Sequence, residues 1–175
     1  MSAANPNPNL QLWPRLWRHW VHPRLRVKHH FPTLALRQLT EQVQLSEQQH
    51  NGQVKFVIES NLSTTDICHA VTARQRAQYW FAHLGVWDTT QRNGILVYVL
   101  FADRCVEIIA DRGINACVPV EKWQQICQHI IDAFQQGKYL PGLTQGLNEL
   151  TVLLAQYFPR QPETLNELPD DVILR

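Results

Sequence analysis

The chain lacks the sequence patterns that mark several common enzyme classes. It has no GxSxG nucleophile elbow, no Walker phosphate loop, no GxGxxG dinucleotide motif and no HExxH zinc motif. Its four cysteines form no CxxC pair, which disfavours a zinc site, and their sequence context predicts buried, reduced thiols. No apolar run approaches the roughly 20 residues that span a bilayer, and the N-terminal segment has no apolar signal region. These absences favour a cytoplasmic globular protein.

Acidic residues are absent from the first 40 positions, which hold six lysines and arginines. From position 41 onward ten basic residues face fifteen acidic ones, so a basic arm precedes a mildly acidic body. The length of 175 residues suits one domain with a sizeable core. We therefore predict a basic, tryptophan-rich arm with an amphipathic helix at 1–31, a globular domain at 32–158 and a Pro-rich acidic tail at 159–175.

The arm carries three tryptophans at helical spacing. Trp13, Trp17 and Trp20 fall on one face of a helix, and basic groups including Arg15 and Arg18 occupy the other side. This pattern suits a membrane interface, with peripheral attachment at the inner membrane. The simpler interpretation is that the tryptophans pack on the protein's own body or on a second copy. Nucleic-acid binding is disfavoured because it requires a wider basic surface.

Three apolar, β-branched runs predict the sheet, at 54–59, 95–101 and 105–110. The second and third are too close for a crossover and must form an antiparallel hairpin, whereas a helix links the first to the second and favours a parallel pair. Helices are predicted before, between and after these strands. The chain is therefore expected to form an α/β fold, a three-layer α/β/α sandwich with a short mixed sheet in which strand 95–101 is central.

Charged and amide residues stand where the predicted strands end. Glu59, Asn93 and Asp111 supply oxygen ligands and could together hold Ca²⁺ or Mg²⁺. Arg112 and Gly113 follow directly, and they could bind a phosphate or another ligand at the strand ends. A simpler expectation is a structural ion pair between Asp111 and Arg112 that closes the loop.

A second Asp-Arg pair, Asp103-Arg104, falls between the two strands of the hairpin. Aspartate is a favoured turn residue, so this pair is expected to form a solvated turn.

Several short motifs follow one another along the predicted globular domain: NGILVY at 93–98, ADR at 102–104, VEI at 106–108, Gly113 and FQQGKY at 134–139. In these motifs the chain resembles the TPM domain family, which is named for a thylakoid lumen protein, a photosystem II repair protein and a nematode receptor modulator. The resemblance spans roughly residues 32–158 and is closest to the stand-alone cytosolic bacterial branch. It implies a three-layer sandwich, and some members resemble acid phosphatases or bind divalent cations near the strand ends.

Several positions depart from the family's usual acidic pattern. The Asp-x-Ala-Gly segment is not visible around 32–34, and Arg92, Asn115 and Val120 stand where carboxylates are common in the family. Fewer carboxylates leave less charge for a hard cation. We therefore expect a non-enzymatic protein that binds a partner at or near the cytoplasmic membrane face, the partner being another protein, a second copy or the membrane. The alternative is a divalent-cation-dependent acid phosphatase with its site at the strand ends.

Overall fold

The structure, a computed structural model, describes residues 8–21, 24–161 and 169–175. Residues 1–9 are rich in proline and asparagine, which predicts disorder, and most of them lie outside these ranges, as does part of the tail. The helices are α1 Pro8–Val21, α2 Arg24–His30, α3 Thr33–Glu47, α4 Thr64–Cys68, α5 Ala73–His83, α6 Arg112–Cys117, α7 Val120–Gln135 and α8 Tyr139–Tyr157. The strands are β1 Gln53–Glu59, β2 Gly94–Leu100, β3 Cys105–Ala110 and β4 Ile173–Leu174.

The four strands form one mixed sheet in the order β3-β2-β1-β4. β1 runs parallel to β2, whereas β2 and β3 form the predicted antiparallel hairpin. The tail contributes β4, a short strand parallel to β1, which the sequence pattern did not predict. β2 lies inside the sheet and is buried along its whole length, as its continuous apolar sequence predicted.

Helices cover both faces of the sheet, so the predicted three-layer α/β/α architecture is confirmed. On one face, α3, α7 and α8 pack on alternate strand residues such as Phe56, Ile58 and Val97. On the other face, α4 and α5 pack on the intervening residues such as Val57 and Leu96, and α1 packs at the edge of this second core. The alternation follows from the two-residue period of a strand.

The structure differs from what the sequence favours at three points. Proline is favoured in the first turn of a helix, but α1 begins at Pro8, so Pro14 lies inside it. One predicted helix after Ser63 is divided into α4 and α5, and each has its own side-chain cap from Ser63 or Thr72. All four cysteines are free, but Cys68 and Cys117 are exposed, so the prediction that the thiols are buried is wrong for these two.

No helix within the described ranges is both long and apolar enough to cross a membrane.

Candidate functional site

Helix α1 is held against the body by one of its faces. Leu12 and Leu16 pack on the second core, to which α4 and α5 also contribute. Next to them, the Arg15 guanidinium donates to Asp103 Oδ2 from Nη2 at 2.9 Å and from Nε at 3.1 Å. Arg15 Nη2 also donates to the carbonyl of Val71 at 2.7 Å. Arg15 therefore ties α1 both to the hairpin tip and to the segment before α5.

His19 is the most deeply buried contact of this helix. Its side chain has no solvent exposure. The Leu62 N–H donates to His19 Nδ1 at 2.9 Å, and the Asn61 amide donates to the His19 carbonyl at 3.1 Å. Because Nδ1 accepts this bond, Nε2 carries the proton that it donates to Asp103 Oδ1 at 3.1 Å. The ring thus bridges the hairpin tip and the loop that follows β1.

Asp103 is the common partner of Arg15 and His19, and its side chain is only 15% exposed. Burial alone would raise the pKa of this carboxyl, but the hydrogen bonds from His19 and Arg15 and the charge of Arg15 outweigh burial and lower the pKa to about 2. The expectation of a solvated turn is therefore wrong for Asp103. The reason is that α1, distant in sequence, covers the hairpin tip. We call Arg15, His19 and Asp103 the α1 anchor.

Three large aromatic side chains on another face of α1 are exposed to solvent. Trp13 is 78% exposed, Trp17 67% and Trp20 68%. Trp20 makes one long hydrogen bond, from Nε1 to Thr64 Oγ1 at 3.4 Å. The expectation that these rings pack on the protein's own body is therefore wrong, because Leu12, Leu16 and His19 provide the docking face instead. We call Trp13, Trp17 and Trp20 the tryptophan stripe.

Arg15 and Arg18, which the sequence predicts to bind a membrane or partner together with the tryptophans, have different environments. Arg18 is half-exposed, and its guanidinium lies 3.8 Å from Asp103. Arg15 is 17% exposed and is engaged by the anchor. Arg18 is therefore available to an anionic partner, whereas Arg15 positions the helix.

The metal ligands predicted at the strand ends do not form one cluster. In the parallel pair, Gln53 lies opposite Gly94 and Glu59 lies opposite Leu100. Asn93 therefore stands at the start of these strands and Glu59 at their far end, about 20 Å away at the usual rise per residue. The sequence argument erred because it placed the end of one strand beside the beginning of its parallel neighbour.

Glu59 has protein partners for both of its carboxylate oxygens. Arg76 donates to Oε1 at 2.7 Å and to Oε2 at 2.9 Å, and the Trp80 indole and the Tyr98 hydroxyl donate to Oε2 at 3.2 and 2.6 Å. Glu59 is 5% exposed and lies on the sheet face covered by α5. This carboxylate is a structural centre, which we call the Glu59 cluster.

Asn93 and Asp111 do share one end of the sheet. Asn93 is buried, and its amide donates to the Asn51 carbonyl at 3.1 Å. Asp111 caps α6 by accepting the Arg112 N–H at 2.6 Å, and its buried Oδ2 has no hydrogen-bond partner among the described residues. Over the described ranges, no group of three or more histidine, cysteine, aspartate or glutamate side chains is placed to hold a metal ion.

The backbone fills the space beside Arg112 and Gly113. The Gly113 N–H donates to the Arg92 carbonyl at 2.8 Å, and a side chain at Gly113 would meet that oxygen at 2.5 Å. Glycine is therefore needed here for close contact between two loops. Arg112 contributes its N–H to Asp111, and no ion pair between their side chains is present in the described part of the chain, so the expected Asp111–Arg112 ion pair is wrong.

Sequence reasoning missed a buried polar group beside the first residues of β1. Glu47, at the end of α3, accepts the Val54 N–H at 3.1 Å, on a part of the β1 edge that β4 does not reach. The Lys55 ammonium donates to the Pro169 carbonyl, and burial lowers the pKa of Lys55. Burial also raises the pKa of Glu47 to about 8, helped by the charge of Asp170. The signal that could have found this group is the strand edge left open at β1.

The raised pKa of Glu47 predicts a pH-dependent stability. The folded protein holds a proton here that the unfolded chain releases near pH 4.5, so this contribution is complete below about pH 4.5 and is lost as the pH rises through about 8. Glu47→Gln keeps an oxygen for Val54, and its free energy of unfolding should exceed that of the wild type by about 4 kcal/mol at pH 9 and by less than about 1 kcal/mol at pH 5. Urea unfolding at both pH values measures this.

The matched control is Glu41→Gln on the exposed side of the same helix. Its free energy of unfolding should equal that of the wild type at both pH values. A Glu47→Gln variant that is less stable than the wild type at pH 9 would contradict the prediction.

Comparison with known proteins now identifies the family. A family model for the TPM domain matches residues 32–153, and the chain belongs to this family. Its fold is similar to that of BA42 from the psychrophilic bacterium Bizionia argentinensis, with 26% identity, a TM-score of 0.71, and coverage of 79% of this chain and 91% of that one.

A second solved structure has the same fold at lower identity. It is the N-terminal domain of a protein from P. gingivalis, with 16% identity, a TM-score of 0.59, and coverage of 74% of this chain and 81% of that one. No curated protein matches the chain.

Proposed function

We propose that this TPM domain protein acts by binding rather than by catalysis, and that its tryptophan stripe inserts into the interface of an anionic membrane, at the cytoplasmic face. The observation that carries the proposal is the arrangement of α1: the helix is fixed to the body by one face and turns three tryptophans outward from the other. A partner on the outer face is the simplest reason to keep these rings in water.

The tryptophan stripe has the chemistry of a membrane interface. Its three rings span about 10 Å along the helix, at the usual rise per residue. Contiguous exposed apolar surface of this kind marks an interaction site in soluble proteins. Indole rings favour the headgroup region of a bilayer, because the ring is apolar and its N–H can still reach a hydrogen-bond acceptor.

Charge favours an anionic membrane over a neutral one. The first 40 residues contain six lysines and arginines and no acidic residue. Arg18 is half-exposed on α1, and Lys28 is exposed on α2. Basic side chains close to anionic headgroups contribute about 1 kcal/mol each, and salt screens this attraction. Apolar insertion and charge attraction together supply the two signals that stable peripheral binding needs.

The experiment is co-sedimentation with phosphatidylglycerol vesicles and with phosphatidylcholine vesicles. Removing residues 1–30 is unsuitable, because Val27 is part of the main core. We instead compare the wild type with Trp13→Gln/Trp17→Gln, which removes two rings from the stripe and leaves the α1 anchor intact. This variant should lower the partition coefficient on phosphatidylglycerol at least tenfold, since burial of one large side chain contributes about 1.5 to 3 kcal/mol.

The matched control is Trp87→Gln, because Trp87 is 54% exposed and lies outside α1. It should bind vesicles like the wild type. Binding to phosphatidylglycerol should weaken as salt is added and should exceed binding to phosphatidylcholine. If Trp13→Gln/Trp17→Gln and Trp87→Gln partition equally onto phosphatidylglycerol vesicles, insertion of the stripe into a membrane is rejected. A wild-type dimer in light scattering that Trp13→Gln/Trp17→Gln abolishes and Trp87→Gln keeps would show that the stripe binds a second copy of the chain instead.

A further inference from the structure

A cavity lies on the other side of the hairpin tip from α1. Its volume is about 500 Å³, and it opens between the end of α2, the end of β2 and the turn from α7 to α8. Val99 and Ile131 give it an aliphatic lining. Small-molecule sites in proteins are of this size, roughly 300 to 1,000 Å³, and combine an apolar lining with a few polar groups.

Four aromatic rings line one part of the cavity. His30 lies 4.4 Å from the Tyr139 ring centroid and 5.4 Å from that of Phe101, and the planes of His30 and Phe101 differ by only 24°. Phe134 lies 5.2 Å from Tyr139. All four side chains are partly exposed. A flat aromatic ligand could therefore stack on the part of this aromatic cluster that the described residues leave exposed.

The polar groups of the cavity favour an anion. Its lining includes Arg104, His30 and Gln135, and none of the described residues that line it is an aspartate or a glutamate. Arg104 is exposed and forms no ion pair with any residue that the structure describes. Since a guanidinium binds a carboxylate through two parallel hydrogen bonds, this side chain suits an acidic ligand group.

Arg104 has a backbone conformation that glycine adopts more easily. Its φ is 51°, in the left-handed region. Such a conformation opposes folding by about 1 kcal/mol for a residue with a Cβ. Ala70 and Arg92 share this conformation, so it assigns no function by itself, and its consequence for this site is that glycine should be tolerated at position 104.

We propose that this cavity binds a small planar aromatic molecule with one acidic group, whose rings stack on His30 and Tyr139 and whose acid group pairs with Arg104. The site faces away from the tryptophan stripe and does not depend on the proposed membrane binding.

The experiment is a ¹H–¹⁵N NMR titration of the whole chain with three probes: naphthoate, its neutral analogue naphthalenemethanol, and acetate. Naphthoate should shift the amide signals of Phe101, Arg104 and Tyr139 and should bind at least about fivefold more tightly than naphthalenemethanol, because only naphthoate can form a charge-assisted hydrogen bond. Acetate at the same concentration should leave these signals unchanged.

Two glycine variants separate binding from folding. Arg104→Gly removes the guanidinium and relieves the backbone, so the protein should stay folded while its affinity for naphthoate falls about tenfold. The control is Arg92→Gly, which removes an equal charge at a residue with a φ of 53° near the other end of β2, and it should bind naphthoate like the wild type. Equal affinity of the two variants, equal affinity of the two naphthalene probes, or shifts confined to the tryptophan stripe would overturn the proposal.

Discussion

Replacing Glu59 by alanine is expected to lower the free energy of unfolding by about 4 kcal/mol. The substitution leaves the Arg76 guanidinium, the Trp80 indole and the Tyr98 hydroxyl without the acceptor that they share. Removing one partner of a buried ion pair costs about 3 to 5 kcal/mol, because the remaining charge is neither hydrated nor paired. Glu59 is 5% exposed, so solvent screens this interaction little. Urea unfolding followed by tryptophan fluorescence measures the loss.

A neighbouring ion pair supplies the control. Arg74, two residues before Arg76 on α5, pairs with Glu107 at 3.2 Å, with side-chain exposures of 54% and 24%. Exposed pairs of this kind contribute about 0 to 1 kcal/mol, so Glu107→Ala should cost less than 1 kcal/mol. Glu59→Gln should fall between the two, because its amide oxygen still accepts a hydrogen bond. If Glu59→Ala and Glu107→Ala destabilise equally, the Glu59 cluster is not the structural centre that its contacts indicate.

Replacing Asp103 by alanine is expected to release α1 and to lower stability by about 3 kcal/mol. The change removes the acceptor of the buried His19 ring and of the Arg15 guanidinium. A buried charge network that loses one member costs about this much. Hydrogen exchange should report the release directly, since amides of α1 and of Leu62 lose protection. Asp88→Ala, at an exposed aspartate far from α1, should change neither quantity.

The α1 anchor also predicts an acid limit to docking. The pKa of Asp103 is lowered to about 2 in the folded protein from an ordinary value near 3.8, so the anchor is complete above about pH 4 and is lost as the pH falls towards 2. The shift corresponds to about 2 kcal/mol at neutral pH. Protection of the α1 amides should therefore decline between pH 4 and pH 2 in the wild type. Asp103→Ala should show no such decline, and a wild type that keeps full protection at pH 2 would contradict the assignment.

The two ends of the sheet have different roles in this account. The hairpin-tip end carries the α1 anchor on one face and the aromatic cavity on the other. The Asn93–Asp111 end is occupied by loops that approach closely: a side chain at Gly94 would meet the Val86 carbonyl oxygen at 2.0 Å, and one at Gly113 would meet the Arg92 carbonyl oxygen at 2.5 Å. The Asn-Gly pair of the sequence thus has a packing explanation. A divalent-cation-dependent phosphatase with its site at this end stays a prediction.

The sequence by itself determined the secondary structure and most of the layer arrangement. The runs at 54–59, 95–101 and 105–110 predicted β1, β2 and β3, because strand preference and the short hairpin connection are local properties of the chain. The helical spacing of Leu143, Leu147, Leu150 and Leu154 is likewise a local pattern, and these residues form the buried face of α8. These features depend on neighbours a few residues apart, which a sequence pattern records directly.

Only the tertiary structure decided which polar residues meet and which face of α1 docks. His19 and Asp103 are 84 residues apart, and Glu59 and Tyr98 are 39 apart. Helical spacing alone favoured the tryptophans as the buried face, since they are the largest apolar residues of the arm. The fold instead buries Leu12, Leu16 and His19, because the hairpin tip offers Asp103 as a partner for Arg15 and His19. Burying these polar groups together satisfies their hydrogen bonds, and it leaves the tryptophan stripe in solvent.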